Sequence, residues 1–159
     1  MFFFKKLSLF VGRFFLSIIF LISGLRKIFN WQDVENSLVN QIVEWASYVR
    51  SSSLKDFLSE TLSWAPIFLL VAMFLEILGA ILLLLGIKPR LGALFLIIFL
   101  FPTTIIMHPF WFLDGMQKEI EFIMFIKNVS ILGGLLIVLA QGGVLAENKP
   151  IYPKVKFDK

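Results

Sequence analysis

Four long apolar stretches constrain this chain more than any other feature. They lie near residues 7–29, 66–85, 91–108 and 122–142. A helix of about 20 residues crosses a ~30 Å hydrocarbon core, and each stretch is close to that length. The third is the shortest, and the aromatic "PFWF" at 109–112 offers it an extension. No segment alternates apolar and polar residues as a half-buried strand does. Within lipid a helix satisfies its own backbone polar groups, whereas an open sheet edge does not. The 159 residues are 58% hydrophobic, against roughly 45–50% apolar in soluble domains. The expected fold is all-α, a polytopic membrane protein built as a four-transmembrane-helix bundle in one domain over residues 1–159.

The segment 31–65 between the first two stretches is different in kind. Val34, Leu38, Ile42, Trp45 and Val49 recur at helical spacing with polar residues between them. After "RSSS", Ser53 and Asp56 have the spacing of a capping box ahead of Leu54, Phe57, Leu58 and Leu62. Two short amphipathic helices are expected here, lying on the outer face and ending near Trp64 and Pro66. They would form either an interfacial cap over the bundle or a binding lid. The start, "MFFFKKLSLFVGRFFLSIIFLISG", is basic and then apolar like a signal peptide. Its apolar part is too long for one and carries no A-x-A-like site, so it reads as a retained first helix.

Basic residues set the orientation, because acids contribute little. Lys5, Lys6, Lys88, Arg90 and the four lysines of 144–159 fall on one side. Arg50, Lys55 and Lys118 fall on the other. Eight bases against three place both termini and the "IKPR" turn in the cytoplasm. With no cysteine and one histidine, the chain cannot build a disulfide, a thiolate metal site or an intrachain bis-histidine haem. No metal site and no intrinsic cofactor are expected, and no nucleic-acid partner. Any electrons must reside on a small molecule or on a partner protein.

Several polar residues sit inside the apolar stretches. A charge near the bilayer centre costs about 2.5–3.5 kcal/mol on insertion scales, so such residues face the bundle and find partners. At about 1.5 Å per residue, Glu76 lies about 15 Å from either end of its stretch and Arg13 about 9 Å from the inner end of the first. Arg26 and Lys27 lie near the outer end of the first stretch, His108 at the outer end of the third, and Lys127 inside the fourth. Glu76 is expected to pair with Arg13 reaching outward or Lys127 reaching inward. Interhelical hydrogen bonds in membranes average well under 1 kcal/mol, which leaves glue alone a poor reason to keep such an acid. Lys127 and Asn128, with Lys27 and His108, are donors that converge on the outer half, where they can hold a polar head group or a carbonyl. Snorkelling to lipid head groups is the plainer account of Arg26 and Lys27, and His108 beside Pro109 also reads as a helix-end residue facing water. Gly133 and Gly134 suit the close approach of a neighbouring helix. Pro102 is expected to kink the third helix, with Thr103 and Thr104 bonding the carbonyl it frees.

"GRFFLSIIFLISGLRKIF" resembles the first helix of DoxX-type proteins, an Arg entering an apolar stretch that closes on G-x-x-K. "LEILGAILLLLGIKPRLGA" is similar to that family's second helix and turn, and a His closing the third helix and K-N before L-G-G in the fourth complete the pattern. The resemblance covers most of the chain except 31–65 and the tail. It implies a multi-pass protein of the bacterial inner (cytoplasmic) membrane. Members of the family are associated with quinone-linked oxidoreductases, including a small membrane subunit of a thiosulfate:quinone oxidoreductase. Carried over residue by residue, the family's polar, ligand-binding positions fall on Arg13, Lys27, Glu76, His108, Lys127 and Asn128. The longer 31–65 insertion departs from the simplest members and opens a different external ligand or partner.

Three functions compete at this level. The chain is a membrane subunit binding a quinone or similar amphiphile for a redox protein partner, at most one subunit of an oxidoreductase. Alternatively it binds or carries a lipid or small amphiphile without electron transfer. In the third reading it is a structural subunit whose polar residues fix helix registry. Membrane lipids are partners in every case, and the apolar surface of "LEILGAILLLLG" is broad enough for a homo-oligomer.

Overall fold

A computed structural model describes residues 2–141, apart from the side chains of Phe2, Phe3 and Lys5. The lysine-rich 144–159 tail lies outside the described residues. Six α-helices follow in order: α1 (Phe2–Phe29), α2 (Trp31–Tyr48), α3 (Ser52–Leu62), α4 (Ala65–Leu85), α5 (Pro89–Met107) and α6 (Gly115–Gln141). A 3-10 turn, Phe110–Phe112, joins α5 to α6. There is no strand among the described residues. Four segments are long and apolar enough to span a membrane: Lys6–Phe29, Ala65–Leu85, Pro89–Phe112 and Gly115–Gln141.

α6 begins seven residues before its apolar stretch. "MQKEIE" is rich in helix formers, and Gly115, at φ +61°, turns the chain into the helix. Hydrophobic periodicity does not register such a polar extension. α5 ends where the sequence dictates, because the residue before Pro109 is pushed out of the helical region and His108 caps the helix at φ −127°, ψ 60°.

The spans pack as a bundle around one core. α4 lies against α1 and α5, α5 also against α6, and α1 meets α6 only slightly. The α4–α5 seam is glycine-tight. A Cβ at Gly92 would fall 2.7 Å from the Gly79 carbonyl oxygen and 2.8 Å from the Leu83 nitrogen. Around it Phe20, Ala80, Leu83, Ala93, Leu96, Phe99, Leu100 and Leu135 form the core. Gly79, Ala80 and Leu83 are buried in or beside this core, so the lipid-facing surface of "LEILGAILLLLG" is narrower than its composition suggests. Only part of it, including Ile81 and Leu85, is exposed.

One end of the bundle is the α4–α5 turn. Gly86 takes the left-handed conformation (φ 67°) and donates its N–H to the Leu82 and Leu83 carbonyls. Arg90 Nη2 donates to the Ala140 carbonyl at 3.2 Å and ties the end of α6 to this turn. The opposite end is capped by α2, α3 and the 3-10 turn. The Phe110 N–H bonds His108 O rather than Ile106 O, and Trp45 Nε1 donates to that spare Ile106 carbonyl at 3.0 Å. The Trp45 ring meets Trp111 and Phe112 edge-on, with centroids 5.8 and 5.2 Å away. Tyr48 stacks on Phe112 and donates to Glu44 Oε1 at 3.2 Å. Desolvation, then the Glu44 carboxylate, raises the Tyr48 phenol above its usual pKa, so it is a neutral donor.

Two local expectations are corrected. No capping box forms at Ser53 and Asp56: α3 starts at Ser52 behind Ser51, with no side-chain cap bond. Three consecutive serines offer several start points, and spacing does not choose among them. In α5, Pro102 frees the Ile98 carbonyl, four residues back. The hydroxyls of Thr103 and Thr104 instead bond the Phe99 and Leu100 carbonyls, at 2.7 and 2.6 Å, because each bonds its own i−4 carbonyl.

Candidate functional site

Arg13, Ser17, Phe20, Gly24 and Lys27 recur at steps of three and four, which places them on one face of α1. α4 packs along α1, and Gly24 makes the approach close. A Cβ there would fall 2.6 Å from Ile77 Cγ1. One turn beyond Gly24, the Lys27 ammonium reaches Glu76 Oε2 in an ion pair. The carboxylate is 1% exposed and the lysine side chain 16%. Lys27 Nζ also donates to Ser23 Oγ at 2.9 Å and stands 4.9 Å over the Phe99 ring. Its charge is thus met by a carboxylate, a hydroxyl and a π face. Glu76 lies ten residues from Gly86, about 15 Å along α4 and near the middle of the span.

This overturns the expected partners of Glu76. Arg13 is at the turn end, where its Nε donates to the Leu9 carbonyl at 3.2 Å and its guanidinium lies against Gly86. There the cation complements the carbonyl end of α4. Lys127 is exposed on α6, with its ammonium 3.1 Å from Met124 Sδ. Lys27 reaches Glu76 because α1 ends below the start of α4. Counting residues from each span's own end placed the two at different depths.

The remaining sequence-derived positions divide. His108 is half-buried, with Nδ1 2.7 Å from Glu121 Oε2. A carboxylate only accepts, so Nδ1 carries the proton in this contact. Asn128 is half-buried on α6, and no hydrogen bond to its amide is found among the described residues. Arg26 is exposed. Gly134 faces Leu16 of α1, with 3.3 Å from a Cβ to Leu16 Cδ2, whereas Gly133 opens onto space. The structure thus brings Lys27 and Glu76 together and leaves Arg13, His108, Lys127 and Asn128 outside that contact.

Sequence reasoning missed Ser17, Ser23, Phe99 and Glu121. Ser17 is fully buried, and its hydroxyl finds no partner among the described residues. The step pattern Arg13–Ser17–Phe20–Gly24–Lys27 could have found it, and Ser23 lies four residues before Lys27. Nothing local marks Phe99, which only tertiary packing brings to the pair. Among the described residues no group of three or more His, Asp or Glu side chains converges as metal ligands do.

No curated protein and no solved structure matches the chain. The DoxX family model matches residues 8–109, covering α1 to α5 with Lys27, Glu76 and Phe99, and leaving out α6 with Glu121 and Lys127. That match spans well over half of the 159 residues, and the chain belongs to the DoxX family.

Proposed function

We propose that this DoxX protein is a membrane subunit that binds the polar head of a quinone or similar amphiphile beside the Lys27–Glu76 pair, in the service of a redox partner. The observation that carries the reading is the pair itself. A carboxylate 1% exposed near mid-span meets an ammonium that retains some access. A purely structural pair has little to recommend it energetically, since apolar side chains of similar volume often do as well. The residues present fit a quinone head. Lys27 would supply an N–H donor for a carbonyl, the buried Phe20 and Phe99 rings, in edge contact with centroids 6.3 Å apart, would wall one side, and Glu76 would give or take a proton. A bound quinone would supply the two-electron chemistry that a chain without cysteine cannot. The side chains hold and orient the head and exclude water.

The charge pattern supports an orientation with the turn end, carrying Lys6, Lys88 and Arg90, in the cytoplasm. The α2–α3 cap then faces outward from the bacterial inner membrane. Trp45 and its aromatic neighbours hold that cap against α5, which suits a cover over the pair better than a freely opening lid.

The test is the small-molecule content of purified protein, read by mass spectrometry of its extracted lipids. Wild type should copurify a quinone or comparable amphiphile, and Glu76→Gln, which keeps shape and hydrogen bonding, should lose it. Equal retention by both would refute the reading.

A further inference from the structure

The junction of α3 and α4 holds a cavity at head-group depth. The chain turns there: Ser63 and Trp64 donate their N–H groups to the Glu60 and Thr61 carbonyls, and α4 is under way once Phe68 bonds the Trp64 carbonyl. A cavity of about 330 Å³ opens at this elbow, lined by Phe57, Glu60, Thr61, Trp64 and Phe68. Steps of three and four residues set these side chains along one side of the chain as it passes the junction. The spanning segment begins at Ala65. Trp64 therefore marks the interface, where an amphipathic ring belongs, and Phe68 lies about one turn further into the apolar layer.

Aromatic rings at an interface need no ligand to account for them; a carboxylate set among them does. The Glu60 carboxylate forms no ion pair or hydrogen bond among the described residues. Lys55, the nearest base in sequence, leaves α3 about 140° around the helix from Glu60. Asp56, one turn before Glu60, does not line the cavity. The Thr61 hydroxyl donates to the Phe57 and Leu58 carbonyls, at 2.9 and 2.7 Å, which leaves its oxygen as an acceptor. Phe57, Trp64 and Phe68 are all exposed. The lining thus presents one uncompensated carboxylate, a second acceptor oxygen and three aromatic rings. Carboxylates and ring faces both attract a cation.

We propose that this elbow seats the primary ammonium of a phosphatidylethanolamine head group. Its one positive charge matches the one carboxylate of the lining, and its N–H groups meet the Glu60 and Thr61 oxygens. A trimethylammonium head carries the same charge but no N–H to donate. The phosphate stays outside the cavity in the hydrated head-group layer, and the acyl chains continue into the bilayer past Phe68 and the exposed Val71. Contact at Phe68, inside the apolar layer, is what a lipid gains over a soluble amine. The site is separate from the Lys27–Glu76 pair and does not depend on it.

The test is native mass spectrometry of the full chain released from nanodiscs of equal phosphatidylethanolamine and phosphatidylcholine with identical acyl chains. Wild type should retain one phosphatidylethanolamine in preference to phosphatidylcholine. Glu60→Gln should cut that preference about fivefold, the upper range for an exposed ion pair. Its melting temperature in detergent should stay at the wild-type value, because the carboxylate has no partner to lose among the described residues. Asp56→Asn, the same change of charge one turn away, should keep the preference. Trp64→Leu should lower retention of phosphatidylethanolamine, and Trp64→Phe should preserve most of it. Equal retention of the two lipids by wild type overturns the proposal, as does a preference that survives Glu60→Gln or falls equally in Asp56→Asn. In a second arm with free ethanolamine added, an ethanolamine adduct in place of the lipid also overturns it.

Discussion

The two halves of the bundle solve the problem of packing in lipid differently. Toward the turn end, glycines and small residues bring α4 and α5 into backbone contact, and the cation there, Arg13, sits at a helix terminus where carbonyls receive it. Toward the cap end, the helices are held by an ion pair, a cation–π contact and an aromatic cluster. The first half is held by shape, and an atom added at its α4–α5 seam strains it. The second half is held by polar partners, and removing one strands the other. The closest backbone packing lies in the first half, and the buried ion pair in the second.

The comparison breaks most sharply at Lys27. Lys27→Met leaves Glu76 buried without its cation, and breaking a buried pair costs about 3–5 kcal/mol. Arg13→Met removes a favourable helix-end charge, typically about 0.3–1 kcal/mol. Thermal melting in detergent should show the large loss for Lys27→Met and the small one for Arg13→Met. The opposite ranking would reverse the assignment of the two halves.

At the turn end the effect should come from addition. Gly92→Ala drives a methyl group into the Gly79 carbonyl and the α4 backbone, where overpacking costs about 1–3 kcal/mol. Gly133→Ala, with open space around it, should be neutral or gain up to about 1 kcal/mol from helix propensity. Melting temperatures that fall equally for both would mean that the seam is not glycine-limited.

Smaller effects sharpen the cap end. Trp45→Phe keeps the ring and loses the bond to the Ile106 carbonyl, at about 1 kcal/mol. Amide exchange should rise in α2 and not in α4. Ser17→Ala should cost nothing or stabilise by up to about 1 kcal/mol, because its buried hydroxyl lacks a partner. A clear loss of stability would show that Ser17 bonds something besides the chain.

The helices were legible because apolar length and spacing are local properties. Four spans, the amphipathic character of α2 and the stop at Pro109 follow from residues close in sequence. The polar partners were not. Glu76 was marked by its chemistry, but its choice of Lys27 depends on how far α1 rises beside α4, a relation between helices that span-by-span counting lacks. Arg13 carries the same charge and sits at the wrong end. Glu121 carries no local mark of its role, because only the extension of α6 back to Gly115 and its packing bring it to His108.

The most direct test is a doubly substituted chain, Lys27→Met with Glu76→Gln, compared with Lys27→Met alone for melting temperature and for the amphiphile that copurifies. With both charges gone, no ion is stranded. The account predicts that the double variant recovers most of the stability lost by Lys27→Met and still retains no amphiphile. Recovery of stability together with full amphiphile retention would contradict it and reduce the pair to a structural contact.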